Sequence, residues 1–408
     1  MLSNKLQNAS IFIDENKNFA TGIISLYFKL PLTAHNLAFA NLLTNLQSNS
    51  SEKYPNITAL NTVLEQNYNV RINFNTEIYG CQLLIRYTLN YLEPLELLDA
   101  EYNYQAIVDL FCELVLKPNF SADAISYSQR QLAEDYQLAM SDPENYATEQ
   151  FFKKWYHQER DYTYGFMGPI SEILAADVES LRRFFESLKK SPAAIFGIGV
   201  NSDALSQLLI DKLSEYSLKR DFSANDLVIA SLPDPVVKTE EKNLSQAIVN
   251  LGFGFDSELN ARERKIAKIL AIYLGGLDNS ILFAKVREKL GAAYYVRADA
   301  YVNNSLLLVS AGLNHEKMSA GIEIIKDEIQ NLQLGNVDGD LLKSVKQNYL
   351  TLIENGQDSP FFRVTKKMQD LLLPQYIVDN EICIKSIKKA DLSKLAKKMT
   401  LTESYYLK

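Results

Sequence analysis

The sequence predicts an α+β protein built from two duplicated half-domains, each an antiparallel-rich sheet flanked by helices. Strand-like and helix-like runs share the chain, the order of those runs repeats, and a stretch without periodicity separates the repeats. The first run, TGIISLYFKL from Thr21, places Ile24, Leu26, Phe28 and Leu30 on one face, the two-residue period of a half-buried strand. Next, His35–Gln47 carries Leu37, Phe39, Leu42, Leu43 and Leu46 in a helix-like stripe that ends near Ser48-Asn49-Ser50. A second helix, NITALNTVLEQ, leads into VRINFNT and CQLLIRYTL, two strand-like runs joined through Gly80. Beyond a long helical stretch, PAAIFGIGVNSDAL reads as a strand followed by a helix start.

From 218 to 243, charge, Ser and the pair Pro233 and Pro235 break all periodicity. This marks a linker between an N-terminal half, 1–217, and a C-terminal half, 244–408. The second half opens with the strand QAIVNLGFGF. A helix follows with Ile266, Ile269, Leu270, Tyr273 and Leu274 at i, i+3, i+4, i+7, i+8 spacing, then the helix ILFAKVREKL and the strands YYVRADAYV and SLLLVSAGL. An offset of 226 lays Leu43 on Ile269, Leu64 on Leu290, Tyr68 on Tyr294, Val70 on Val296 and Arg71 on Arg297 without a gap. Matches inside the same order of elements indicate a duplicated unit of about 200 residues.

The composition bounds the function. The chain has 408 residues, 47% hydrophobic and 23% charged, enough for roughly two to three domains with proper cores. Its 50 acidic and 42 basic residues give a net charge of −8 dispersed along the chain, which argues against nucleic acid as a partner. Cys81, Cys112 and Cys383 are few, odd in number and far apart, so neither a disulfide framework nor a thiolate metal site is indicated. Lys5, Asp14, Glu15 and Lys17 interrupt the apolar runs of the first 32 residues, which argues against a signal peptide or a membrane span. A cytoplasmic location is expected.

The most specific string is LGGLDNSILFAKVREKLGAAYYV, Leu274 to Val296. It resembles the C-terminal-half signature of the pitrilysin/insulinase-type metallopeptidases, the inverzincins, with Gly275, Gly276, Ser280, Leu282, Phe283, Arg287, Glu288, Gly291 and Tyr294 at matching positions. The resemblance extends through the EKYP run at Glu52 and the LKPNF run at Leu116. It implies a clamshell subunit of the bacterial two-half type, which pairs into a closed chamber.

In that family the N-terminal half carries H-x-x-E-H, two imidazoles on one helix face with a carboxylate between them as general base. Anchored on Lys53-Tyr54-Pro55, the motif falls on Asn41-Leu42-Leu43-Thr44-Asn45, so both His are Asn and the Glu is Thr. The remaining carboxylate ligand falls near Asp135, with Glu134 beside it. Amides are poor zinc ligands, and a lone carboxylate cannot hold the ion. Without zinc nothing lowers the pKa of water from about 15.7 to about 7, and Thr44 cannot act as a carboxylate base. His35, His157 and His315 lie far apart in sequence, so no other zinc site is indicated. No metal is expected in this chain.

Arg287 and Tyr294 carry a different implication. In active relatives the equivalent pair faces the zinc across the chamber, holding the substrate backbone and the developing oxyanion, work suited to a guanidinium and a phenol. From the residues alone, Arg287 could instead pair with Glu288 and Tyr294 could pack in the core. The resemblance then implies a non-catalytic subunit of a heterodimeric zinc peptidase, supplying Arg287 and Tyr294 in trans to a zinc-bearing paralogous partner that cleaves a peptide substrate. The alternative is a non-enzymatic scaffold or peptide-binding pseudo-peptidase. Three other features read as structural: the aromatic run from Phe151 as core packing, Gly275-Gly276 as a tight helix end, and KSIKKADLSKLAKK from Lys385 as a solvated face.

Overall fold

A computed structural model describes residues 10–156, 159–165, 167–218, 222–224, 227–231, 234–291 and 293–408. In the first half, β1 (Ile11–Glu15) and β2 (Thr21–Pro31) precede helices α1 (Ala34–Asn49) and α2 (Ile57–Gln66) and the hairpin of β3 (Arg71–Tyr79) and β4 (Gln82–Leu92). Helices α3 (Tyr104–Leu116), α4 (Ala122–Ser141), α5 (Pro143–Trp155), α6 (Ile170–Ala175) and α7 (Val178–Leu188) lead to β5 (Ala193–Gly199) and α8 (Ser202–Lys212). The second half begins with β6 (Val236–Glu240), β7 (Ala247–Phe255), α9 (Ala261–Ala271) and the hairpin of β8 (Ala293–Tyr301) and β9 (Leu306–Leu313). It ends with α10 (Met318–Leu334), α11 (Gly339–Gly356), α12 (Pro360–Leu372), α13 (Asn380–Ser386), α14 (Lys389–Ala396) and β10 (Met399–Leu407).

Local chemistry starts the helices where the pattern placed them. Thr33 Oγ1 accepts the Asn36 N–H at 3.0 Å to begin α1. At the matching place in the second half, Asn260 accepts the Glu263 N–H and Glu263 accepts the Asn260 N–H, a reciprocal cap that begins α9. The two sheets have the same order, β1-β5-β2-β4-β3 and β6-β10-β7-β9-β8. Only the β1–β5 and β6–β10 pairs are parallel; the other pairs are antiparallel. The fold is α+β, two mixed five-stranded sheets flanked by helices, and the shared strand order is what a duplicated unit produces.

Contacts divide the chain into two units. Unit 1 comprises Met1–Gln137, Phe166–Asn225 and Gln357–Pro374; unit 2 comprises Leu138–Gly165, Asp226–Gly356 and Gln375–Lys408. Each half of the sequence therefore lends a helix to the unit built mainly by the other. In unit 1, α12 lies on β5 and β2, and in unit 2, α5 lies on β10 and β7.

This exchange corrects the expectation of a half-buried β2, since Gly22–Phe28 is buried throughout. Leu26 and Tyr87 share a face turned to α1, where the Tyr87 hydroxyl donates to Gln47 Oε1 at 2.9 Å. On the opposite face, Tyr27 pairs with Arg86, whose guanidinium lies 4.8 Å from the ring centre of Phe361 on α12. Unit 2 repeats the arrangement. Leu251, Phe253, Leu307 and Val309 join Ile269, Leu270, Ile325 and Leu392 in one apolar core, while Phe151 and Trp155 of α5 seat over Gly252 on the other face. No described helix is long and apolar enough to cross a membrane.

Candidate functional site

On α1, the positions that the resemblance assigns to the zinc motif carry amides held by hydrogen bonds to the helix and to neighbouring elements. Asn41, Asn45 and Asn49 recur every four residues, so their side chains share a helix face. Asn41 Nδ2 donates to the Leu37 carbonyl at 2.9 Å, and its Oδ1 accepts the Thr76 hydroxyl of β3 at 3.0 Å. Asn49 Nδ2 donates to the Asn45 carbonyl and to Gln131 Oε1 of α4, both at 2.9 Å, and Asn45 Oδ1 lies 3.2 Å from the same nitrogen. Thr44 is buried, and its hydroxyl donates back to the Ala40 carbonyl at 2.8 Å. Asp135 and Glu134 are exposed on α4, and neither bonds to the α1 amides among the described residues.

These residues do not fit zinc. The Asn41 and Asn49 amides are committed as donors, the Asn41 and Asn45 amide oxygens accept from Thr76 and Asn49, and neither imidazole nor thiolate takes part in these bonds. Among the described residues no group of three or more His, Cys, Asp or Glu side chains could hold a metal ion. His35 Nδ1 lies 2.8 Å from Glu172 Oε2 on the surface, His315 Nε2 lies 2.9 Å from the Leu244 carbonyl, and His157 lies outside the described residues.

The second-half signature folds differently from a plain helix. Ile272–Gly276 and Phe283–Lys289 are π-helical turns, a form that recurs at functional sites. Gly275 is required by packing: a Cβ there would lie 2.7 Å from the Ala298 nitrogen and 2.8 Å from the Arg297 carbonyl carbon, so the turn sits directly on the β8 backbone. The second π-helical turn also packs on β8.

Arg287 is exposed, and its guanidinium stacks 4.7 Å from the Phe283 ring centre. Among the described residues it has no ion pair, with Glu288 or any other carboxylate. Tyr294 is 62% exposed. Ala293 pairs with Leu313 and Tyr295 with Gly312, so Tyr294 is the extra residue of a β-bulge, a device that re-aims a side chain. Its neighbour Tyr295 is half-buried, and burial pushes its phenol up, with the Glu144 carboxylate of α5 adding to the rise. No hydrogen bond joins Arg287 to Tyr294; what they share is the same two packed elements of unit 2.

One buried carboxyl lies outside both regions. Glu403 of β10 is 1% exposed, and among the described residues neither side-chain oxygen has a hydrogen-bond partner. Burial pushes its pKa up to about 9 against the opposing pull of Lys154.

A duplicated α+β fold with the signature segment seated on β8, and no cluster of metal-ligating side chains among the described residues, fit an inactive metallopeptidase-like protein. Residues 148–349 match the peptidase M16 inactive domain. The chain belongs to the M16 peptidase family. It is 21% identical, over all of its length and 97% of the relative's, to a protein of Bacillus subtilis called a probable inactive metalloprotease, YmfF. A conserved protein from Enterococcus faecalis has the same fold, with a TM-score of 0.88 at 19% identity over 98% of this chain and 96% of that one. A protease from Helicobacter pylori superposes with a TM-score of 0.80 at 17% identity over 98% of both chains.

Proposed function

We propose that this chain is the metal-free subunit of a two-subunit zinc peptidase and that it lends Arg287 and Tyr294 to the active site of a zinc-bearing paralogue. The observation that carries the reading is the β8 bulge, which turns Tyr294 outward beside the segment that leaves Arg287 without a carboxylate. A Tyr and an Arg used only for packing or pairing would be buried or bridged. On a bound peptide, the Tyr294 hydroxyl and the Arg287 N–H groups donate to a carbonyl oxygen as it gains negative charge, and donors of this kind strengthen as charge develops. The partner supplies the metal and the base. Among the described residues Cys81, Cys112 and Cys383 form no disulfide, which supports placing this pair in the cytoplasm.

The test is reconstitution. The purified chain alone cleaves no peptide, and adding a zinc-bearing paralogue from the same cell produces turnover of a fluorogenic peptide. In the mixture Tyr294→Phe and Arg287→Ala each lower kcat by about 100-fold, the scale of losing one oxyanion donor. Unchanged turnover in both variants sinks the trans role. Capture of an unrelated assembly in place of a paralogue favours the scaffold reading.

A further inference from the structure

We propose that unit 2 carries a binding pocket for a small polyphosphorylated anion, lined by Lys343, Lys346, Lys385, Lys388 and Lys389. The pocket, open to solvent, offers about 400 Å³ among α11, the end of α13 and the start of α14, and among the described residues no carboxylate lines it. In a chain whose net charge is −8, five lysines converging on one cavity run against the average. Lys385 pairs with Glu381 on its own helix. Lys343, Lys388 and Lys389 have no ion pair among the described residues.

One of the cations is held in place by hydrogen bonds, and a second lies against the start of α11. Lys346 Nζ donates to the carbonyls of Lys385 at 2.7 Å and Ile387 at 2.8 Å, which fixes the ammonium at the pocket wall without neutralising it. Burial pulls its pKa below the usual lysine range; Asp391 opposes the shift and Arg262 adds to it. Lys389 lies across Gly339 in the first turn of α11, where a Cβ would come within 2.6 Å of its Cε and 2.8 Å of its Nζ. Asp338 caps that turn by accepting the N–H groups of Asp340 and Leu341, and the Lys389 ammonium lies at the same helix end.

The lining selects the ligand. Lysines are compact charges on flexible stems, suited to several phosphoryl oxygens, whereas a planar carboxylate is matched by the guanidinium fork that this pocket lacks. Leu342, Leu350 and Ile387 give it an apolar floor for the organic part of such a molecule. The volume lies at the small-molecule end of binding pockets, and the negative net charge disfavours a polymeric polyanion.

The test uses the full chain and sodium tripolyphosphate, followed by titration calorimetry and thermal melting at low salt. The expected result is saturable binding that raises the melting temperature and weakens as salt is added. Replacing Lys343, Lys346 and Lys389 together by Gln lowers affinity by about tenfold or more, near 1.4 kcal/mol. The variant Lys394→Gln/Lys397→Gln removes exposed charges of the same basic run outside the pocket, and its affinity stays unchanged. If the triple variant fails to fold, Lys343→Gln alone, at an exposed position, still weakens binding. Absence of saturable binding, equal losses in the pocket and control variants, or unchanged affinity in Lys343→Gln overturns the proposal.

Discussion

Asn41, Asn45 and Asn49 lie on one face of α1 at the positions where the family resemblance would place the zinc motif. Asn41 bonds to the Leu37 carbonyl and Thr76, Asn49 bonds to Asn45 and Gln131, and the buried Thr44 hydroxyl donates to the Ala40 carbonyl of its own helix. Restoring the carboxylate alone, Thr44→Glu, therefore buries an unpaired charge. It should destabilise the fold by about 2–4 kcal/mol at pH 7 by urea unfolding, and by less at pH 5, where the new carboxyl takes up a proton. Glu403 makes the reverse case. The unfolded carboxyl ionises near 4.5 and the folded one near 9, so across that window the native state holds the extra proton and stability falls as pH rises. Glu403→Gln removes the slope: about 1–3 kcal/mol more stable than the parent at pH 8 and equal to it below pH 5, read from paired unfolding curves.

At the scale of elements, the exchanged helices and the signature loop carry most of the consequence. Helix α5 sits on β7 and β10, so its aromatic side chains are core residues of unit 2 although they lie in the first half of the sequence. Phe151 is fully buried with its ring stacked 5.9 Å from Trp155, as the core reading of that aromatic run required. Phe151→Ala should cost about 3–5 kcal/mol, and hydrogen exchange should show the loss of protection in β7 and β10. The Gly275 turn is as tightly placed. Because a Cβ would strike β8 backbone, not a side chain that can swing away, Gly275→Ala should displace β8 near Arg297 and lower thermal stability even with no ligand present.

For the whole molecule, one prediction concerns metal: dialysis of the isolated chain against a chelator should leave the melting temperature unchanged, and elemental analysis should find no stoichiometric zinc. A fall in the melting temperature on chelation would show a metal site that the α1 amides do not provide. Much of the architecture was legible because its signals are local. Periods of two and of 3.6 residues marked the strands and helices, the repeated order marked the duplication, and the family resemblance placed amides and a hydroxyl, Asn41, Thr44 and Asn45, where zinc ligands and a base would stand. Other features had no local signal. Burial of β2 on both faces depends on α12, more than 300 residues later, and the outward turn of Tyr294 depends on register against Leu313 and Gly312. The basic run at Lys385 was visible as charge, but its meeting with Lys343 and Lys346 needed α11 brought alongside. Residue identity and period by themselves determined the fold class, because period and order are written over neighbouring positions of the chain. Which faces are covered, which side chains point outward and which lysines share a cavity were decided by the tertiary structure, because those depend on contacts between segments distant in the chain.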